Sequence, residues 1–156
     1  MQQEINDFEE IRIEAENFYK NLKEVYCPYL KEKIFFNSNG LEHIKFKAYD
    51  KPRLDDSQRM RFKLLPLVPE ILQKSHTLQG YRETKRFERV RKHNRTESVL
   101  QFVSYYEFIA MVKRNRIKIV IKQIESGPKF FWSVIPFWRM GSDKTRIFFE
   151  GSPEED

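Results

Sequence analysis

The spacing of apolar residues changes at Gly80, from steps of three and four before it to steps of two after it, and this switch sets the fold class. Ile11, Ala15, Phe18, Leu22 and Val25 form one stripe of a helix running from about Ile5 to Tyr26, with Pro28 as its terminator. Glu and Asp crowd its first turns and complement the positive end of its dipole. Lys33 to Asn37 reads as a short strand. Asn37-Ser38-Asn39-Gly40 is a turn cluster able to cap a short helix carrying Leu41, His43, Ile44 and Phe46. Asp55-Asp56-Ser57 can cap a third helix with Met60, Leu64, Leu67 and Ile71 on one face. Pro66 and Pro69 divide it into pieces at about 56–64 and 67–74, because an internal proline removes a hydrogen bond and clashes with the preceding turn.

Beyond Gly80, β-branched and aromatic residues dominate, and strands are expected at about 82–90, 98–104, 106–113, 116–125, 130–138 and 146–149. Lys113 to Arg116 and Ser126 to Lys129 are compact turns, so consecutive strands should form an antiparallel meander. The expected class is therefore α+β, with N-terminal helices packed on one face of a C-terminal antiparallel sheet. The chain of 156 residues reads as one domain: an N-terminal helix in 1–30, a core in 33–149 and an acidic tail in 150–156. With 14 Phe, 7 Tyr and 2 Trp it is too rich in apolar rings to stay unfolded, despite a charged fraction of 33%.

A single cysteine, Cys27, excludes an intramolecular disulfide framework and multi-thiolate metal sites; it reads as structural and suits a reducing compartment. The acidic start MQQEINDFEE is unlike a signal peptide, and no apolar run approaches the roughly 20 residues that span a bilayer, so the expectation is a cytoplasmic protein without a membrane partner.

Charge is distributed unevenly. Residues 76–146 carry 16 Lys/Arg against 6 Asp/Glu, while residues 1–30 carry 3 against 7 and residues 147–156 carry 0 against 4. A basic segment between acidic ends suits a polyanion, with nucleic acid the first candidate. Along Arg116 to Lys122, Arg116, Lys118 and Lys122 fall on one face of a strand and Ile117, Ile119 and Ile121 on the other. Such a row can track a phosphate backbone, and it equally suits a solvated sheet face. In Lys129 to Arg139, alternation puts Phe131, Ser133 and Ile135 on one face and Phe130, Trp132 and Val134 on the other, so the hydroxyl of Ser133 interrupts an apolar row. Ser133 could bond a phosphate oxygen and an exposed ring could stack on a base; most of the rings also suit a core.

Of three histidines, His43 lies beside Leu41 and Ile44 with Lys45 and Lys47 close by. Neighbouring cations keep its imidazole neutral and able to accept a proton, although a core-edge histidine satisfied by a carbonyl fits the same context. His76 and His93 read as loop residues. Walker, GxGxxG, GxSxG and HExxH motifs are lacking, and Asp55-Asp56 is better read as a helix cap than as a metal pair. No metal or cofactor is expected.

Asn39-Gly40-Leu41-Glu42-His43-Ile44, followed by the late strand Lys129-Phe130-Phe131-Trp132-Ser133-Val134-Ile135-Pro136, resembles the phage-type relatives of the barnase, EndoU, colicin and RelE nucleases, the BECR fold. Those domains pair a helical "HI" element with a strand of the form F-x-S-V/I-x-P, and the resemblance covers about residues 33–149. It implies N-terminal helices before a four-stranded antiparallel sheet, RNA as substrate (tRNA or mRNA) and a protein antitoxin or inhibitor as a further partner. It also implies a toxin, phage-derived or defence role. By matching position, His43, Lys122, Ser133 and Arg139 are the implied catalytic set, with Lys47 filling the place of a second histidine or basic residue. The implied reaction is metal-independent: a base takes the 2′-hydroxyl proton, the oxygen attacks phosphorus, an acid protonates the leaving 5′-oxygen, and cations stabilise the phosphorane-like charge. Arg86, Arg89, Arg91, Lys92, Arg116, Lys118 and Tyr105 are the expected RNA-binding residues. Two other classes fit the same sequence: a non-catalytic RNA- or DNA-binding module with the same basic sheet, and a phage or mobile-element structural protein. The latter requires the aromatics of 130–138 to form an exposed apolar patch without converging cations.

Overall fold

In the computed structural model, residues 2–48, 50–136 and 156 are described, with the backbone alone at 2–6, 90 and 92. Helix α1 (Gln2–Leu22) stops four residues before the expected end at Tyr26, because Lys23 turns left-handed at φ 54° and Val25 joins a strand. That strand, β1 (Glu24–Cys27), pairs antiparallel with β2 (Glu32–Phe35), with Val25 opposite Ile34. Helix α2 (Ser38–Lys45) is capped by the side chain of Asn37, which accepts from the backbone N–H groups of Asn39 and Gly40. The two-strand ribbon β3 (Phe46–Ala48) and β4 (Lys51–Pro52) follows. Helix α3 (Asp55–Leu64) has Asp55 and Asp56 in its first turn rather than at its cap, and a 3₁₀ turn at Leu65–Leu67 leads to α4 (Val68–Gln73). Pro66 and Pro69 divide the helical run as their missing N–H groups require.

Strands β5 (Gly80–Lys92), β6 (Arg95–Val112), β7 (Asn115–Ile124) and β8 (Lys129–Pro136) form a continuous antiparallel meander. Two-residue turns join the first three. His93-Asn94 and Lys113-Arg114 all have positive φ, the conformation whose twist matches the flanking strands. The expected pieces 98–104 and 106–113 are one strand, since Ser104-Tyr105-Tyr106 holds no Gly, Pro, Asn or Asp and Tyr105 pairs with both Arg82 and Lys122. The sheet order is β1-β2-β8-β7-β6-β5, with β2 parallel to β8. The architecture is thus α+β with a mostly antiparallel sheet. It departs from a strict helices-then-sheet order, because β1 and β2, lying between α1 and α2, extend the C-terminal meander at one edge. The expected strand 146–149, the rings Phe137 and Trp138, and Arg139 lie outside the described residues.

On one face of the meander Phe108, Ile117, Ile119, Ile121, Phe131 and Val134 join Ala15, Tyr19, Ile44, Phe62, Leu65 and Leu72 from the helices in the main core. A smaller cluster of Val103, Tyr105 and Val120, flanked by Ile124 and Trp132, occupies the other face. Cys27 is buried in the main core. Gly40 fixes the seat of α2 on β8: a Cβ there would press into the carbonyl oxygen of Phe131 and come within 2.6 Å of the Tyr19 hydroxyl. One helical turn later, the same approach brings His43 down on Trp132. Among the described residues no helix is long and apolar enough to cross a membrane.

Candidate functional site

The site begins with an irregularity in β8. Phe131 pairs with Ile121 and Ser133 with Val120, so Trp132 is an extra residue in the ladder, a β-bulge. Below the bulge Phe130 shares a face with Lys122; above it Ser133 shares a face with Val120 and Ile135 with Lys118. The expected grouping of Phe131 with Ser133 and Ile135 is therefore broken. Phe131 and Val134 face the main core, while Ser133 is turned to the side of Lys118 and Lys122. Without the bulge, strict alternation from Phe130 would have aimed the hydroxyl into the apolar core.

Above Trp132 lies His43, its imidazole stacked on the indole with ring centroids 3.9 Å apart and planes inclined by 17°. Arg53 clamps this histidine twice: Nε donates to the His43 carbonyl at 2.9 Å, and Nη2 lies 3.1 Å from His43 Nε2. A guanidinium can only donate, so Nε2 is the accepting nitrogen and the ring is neutral. Burial, followed by the charges of Arg53, Arg61 and Lys122, pushes the His43 pKa down to about 2. The sequence reading foresaw a neutral ring; it missed the guanidinium on its lone pair.

On the other side of the indole, Lys122 Nζ sits 4.1 Å from the Trp132 ring centroid and 2.9 Å from Glu88 Oε1. Burial lowers the pKa of Lys122, and Glu88 opposes the shift. A cleft of about 720 Å³ opens here, lined among others by His43, Lys47, Arg86, Arg89, Lys122 and Trp132, with Glu88 at its wall. Helix α2 supplies His43, β3 Lys47, β5 Arg86, Glu88 and Arg89, and β7 Lys122.

One residue further along β8, Ser133 is fully buried and lies outside the lining of this cleft. Its hydroxyl accepts from Arg61 Nη1 at 2.7 Å and donates to the main-chain oxygen of Asp156 at 2.5 Å. Arg61 also donates to that oxygen, and Lys118 Nζ reaches Asp156 Oδ2 at 2.7 Å and Glu107 Oε1 at 3.2 Å.

The cleft thus gathers His43, Lys47, Lys122, Arg86 and Arg89 from the sequence-derived set. Ser133 and Lys118 form a separate buried group. Lys118 and Lys122 share a face as expected, but both are buried and ion-paired rather than set along a solvated row. Tyr105 is buried, its hydroxyl without a hydrogen-bond partner among the described residues, so its ring is not presented at the surface. Arg91 is exposed near the tip of the β5–β6 hairpin and Arg116 is half-buried at the start of β7, neither lining the cleft. The side chain of Lys92, like Arg139, is outside the described residues. His76 and His93 are exposed, as their loop contexts suggested. Phe130, Phe131, Val134 and Ile135 are buried.

The sequence alone did not mark Arg53, Arg61 or Glu88 as site residues, nor Trp132 as the partner of His43. Arg61 meets Ser133 across 72 residues of chain, a separation without local signature. One signal was available, since Arg61 lies beside buried Phe62 and one turn before buried Leu65, a cation inside an apolar stripe. Comparison with protein-family models, with curated proteins and with solved structures gave no match for this chain.

Proposed function

We propose that the protein is an RNA-binding, metal-independent endoribonuclease of the barnase- and RelE-like kind, of toxin, phage-derived or defence type, acting in the cleft below His43. The observation that carries this reading is the meeting of His43, Lys47, Arg86, Arg89 and Lys122, from four separate elements, around one space of about 720 Å³. That is the size of a ligand pocket. Four cations line this concavity against the carboxylates of Glu42, Asp50 and Glu88, an excess of positive charge that attracts a polyanion, and burial strengthens the contacts of Lys122.

In this mechanism the substrate prepares its own base. A phosphodiester entering the cleft draws the charge of Arg53 and Lys122 onto its oxygens, which frees His43 Nε2 and raises the imidazole pKa from its depressed value. Nε2 then takes the 2′-hydroxyl proton as the oxygen attacks phosphorus. Lys122, whose ammonium is made more acidic by burial, protonates the leaving 5′-oxygen. The bond from phosphorus to O2′ forms and that to O5′ breaks, giving a 2′,3′-cyclic phosphate and a 5′-hydroxyl. Arg86 and Lys47 stabilise the negative charge on the intermediate.

Cleavage of an RNA oligomer by the purified chain in EDTA, with 2′,3′-cyclic ends, is the expected result. His43→Ala should lower the rate by at least about 10²-fold, the low end of an acid–base contribution, and leave binding nearly unchanged. RNA affinity should fall steeply between about 50 and 200 mM salt as counterions are released. DNA cleavage, loss of activity in EDTA or a fully active His43→Ala chain would overturn the mechanism.

A second reading, RNA binding without cleavage, is favoured by one observation: Arg53 already occupies the histidine lone pair. Salt-dependent binding without cleavage under any condition would select it. Among the described residues of β8 the structural-protein reading draws no support, since Phe130 and Phe131 are buried and Lys122 lies over Trp132.

A further inference from the structure

We propose that Arg61, Lys118 and Ser133 form a buried receptor for a phosphate group, and that Asp156 is an intramolecular stand-in which occupies it until a phosphate displaces it. This goes beyond RNA cleavage in the cleft and holds whether or not the chain cuts RNA.

The receptor is built from three elements, α3, β7 and β8, and each of its residues is more than nine-tenths buried: Arg61 7%, Lys118 3% and Ser133 0% exposed. All three donate to one residue. The main-chain oxygen of Asp156 accepts from both Arg61 Nη1 and the Ser133 hydroxyl, and its Oδ2 accepts from Lys118 Nζ. Two oxygens of one residue held by a guanidinium, a hydroxyl and an ammonium reproduce how a protein grips adjacent oxygens of a phosphate. The β-bulge at Trp132 serves this group, since it turns Ser133 out of the apolar core and towards Arg61.

Charge balance identifies what the receptor lacks. Lys118 keeps a second carboxylate, Glu107, and so remains compensated when Asp156 leaves. Arg61 does not: among the described residues Asp156 is the one acidic group opposing its burial and the repulsion of Arg53. Even with Asp156 in place, those two effects hold the guanidinium well below its ordinary pKa, at about 9. A buried cation left without an anion is costly, so Asp156 can depart only when another anion replaces it. A phosphate brings more charge and more acceptor oxygens than one carboxylate, and can satisfy Arg61, Ser133 and Lys118 together. Ser133 directly follows Trp132, which lines the cleft, so a phosphate here belongs to a ligand lying against that indole or to free phosphate.

The test titrates the full chain with inorganic phosphate at constant ionic strength set by chloride, using calorimetry. A second arm uses a short oligoribonucleotide with and without a 5′-phosphate. Asp156→Ala deletes the carboxylate that Lys118 holds and leaves only the main-chain oxygen to be displaced from Arg61 and Ser133, so it should bind phosphate at least about tenfold more tightly than the wild type, a difference calorimetry resolves, and Arg61→Gln added to Asp156→Ala should abolish the gain. Preference for the 5′-phosphorylated oligomer assigns the site to nucleic-acid ends; equal binding of both oligomers assigns it to free phosphate. Equal phosphate affinity in the wild type and a folded Asp156→Ala chain, or retention of the gain without Arg61, overturns the proposal. Should Asp156→Ala fail to fold, the wild type suffices: saturating phosphate must shift the Asp156 backbone amide resonance, and a titration that moves Ser133 but leaves Asp156 in place overturns the displacement. A phosphate gain in a chain that neither binds nor cuts RNA would leave this inference standing and reject the nuclease reading.

Discussion

The two faces of β7 are built from the same seven-residue run, yet they bury opposite chemistries. Ile117, Ile119 and Ile121 lie in the helix-covered apolar core, while Lys118 and Lys122 point the other way and are also buried, Lys118 held by Glu107 and Asp156 and Lys122 by Glu88. On the first face burial itself is the stabilising force. On the second, desolvation of each ammonium offsets much of what its ion pair contributes, so the face adds little to stability for the area it hides. The difference teaches where to look for function. A fold that can bury isoleucine at every second position and buries lysine between them carries the lysines for what they hold.

The largest expected effect breaks the comparison on its apolar side. Phe131→Ala removes a fully buried ring that stacks on Phe36 at 5.3 Å and packs on Tyr19, and should cost about 3–5 kcal/mol in denaturant unfolding. The combined change Lys122→Met and Glu88→Gln removes a buried ion pair without orphaning either partner, and should alter stability by no more than about 1 kcal/mol. RNA affinity should respond in the opposite order, falling in the double variant and holding in the folded fraction of Phe131→Ala. A double variant that loses as much stability as Phe131→Ala would show that the charged face is structural after all.

The next effect sharpens the comparison by moving the helix that covers it. Gly40→Ala places a methyl group against the Phe131 carbonyl, part of the β8 backbone, and the Tyr19 hydroxyl, which donates to the Asn37 carbonyl. Overpacking of this kind costs about 1–3 kcal/mol. Because α2 also carries His43, the stack on Trp132 should loosen with it. The expected result is a chain that still folds but cleaves RNA more slowly, measured by thermal unfolding and cleavage rate side by side. An unchanged midpoint in Gly40→Ala would mean that α2 does not sit as closely on β8 as described.

Much of the apolar face was legible because it is periodic. The Ile117, Ile119, Ile121 alternation, the Asn37 cap, the proline-divided helix and the hairpin ends all leave local marks that follow from backbone geometry. The charged face was legible only in its members. His43, Lys122 and Ser133 stood out as residue types, but two facts that arrange them have no local mark. The bulge at Trp132 reverses the direction of Ser133, and a strand read by strict alternation cannot show an extra residue. Arg53 and Arg61 reach the site from segments whose own patterns speak of helix and loop. The helix end at Leu22 failed for a related reason. Val25 continues the helical stripe in sequence, but its pairing with Ile34 decided its state, and tertiary pairing outweighs propensity over so short a run.

The last effect is a slope, and it locates the charged face in the pH dependence of folding. His43 has its pKa lowered from 6.5 to about 2 in the folded chain, first by burial and then by Arg53, Arg61 and Lys122. In the unfolded chain it titrates near its ordinary value. Between those two values the unfolded state holds a proton that the folded state cannot accept, so stability is fully present above about pH 6.5 and declines as pH falls. The decline attributable to one histidine approaches about 1.4 kcal/mol per pH unit once the pH is below the ordinary value. His43→Gln removes the titration while retaining a side chain able to accept from Arg53, so its stability should be flatter over pH 7 to about 5 than that of the wild type. Denaturant midpoints of the two chains measured across that range give the comparison directly. Curves that run parallel would mean that His43 is protonated as readily folded as unfolded, and the cations around it could then no longer be the groups that await an anion.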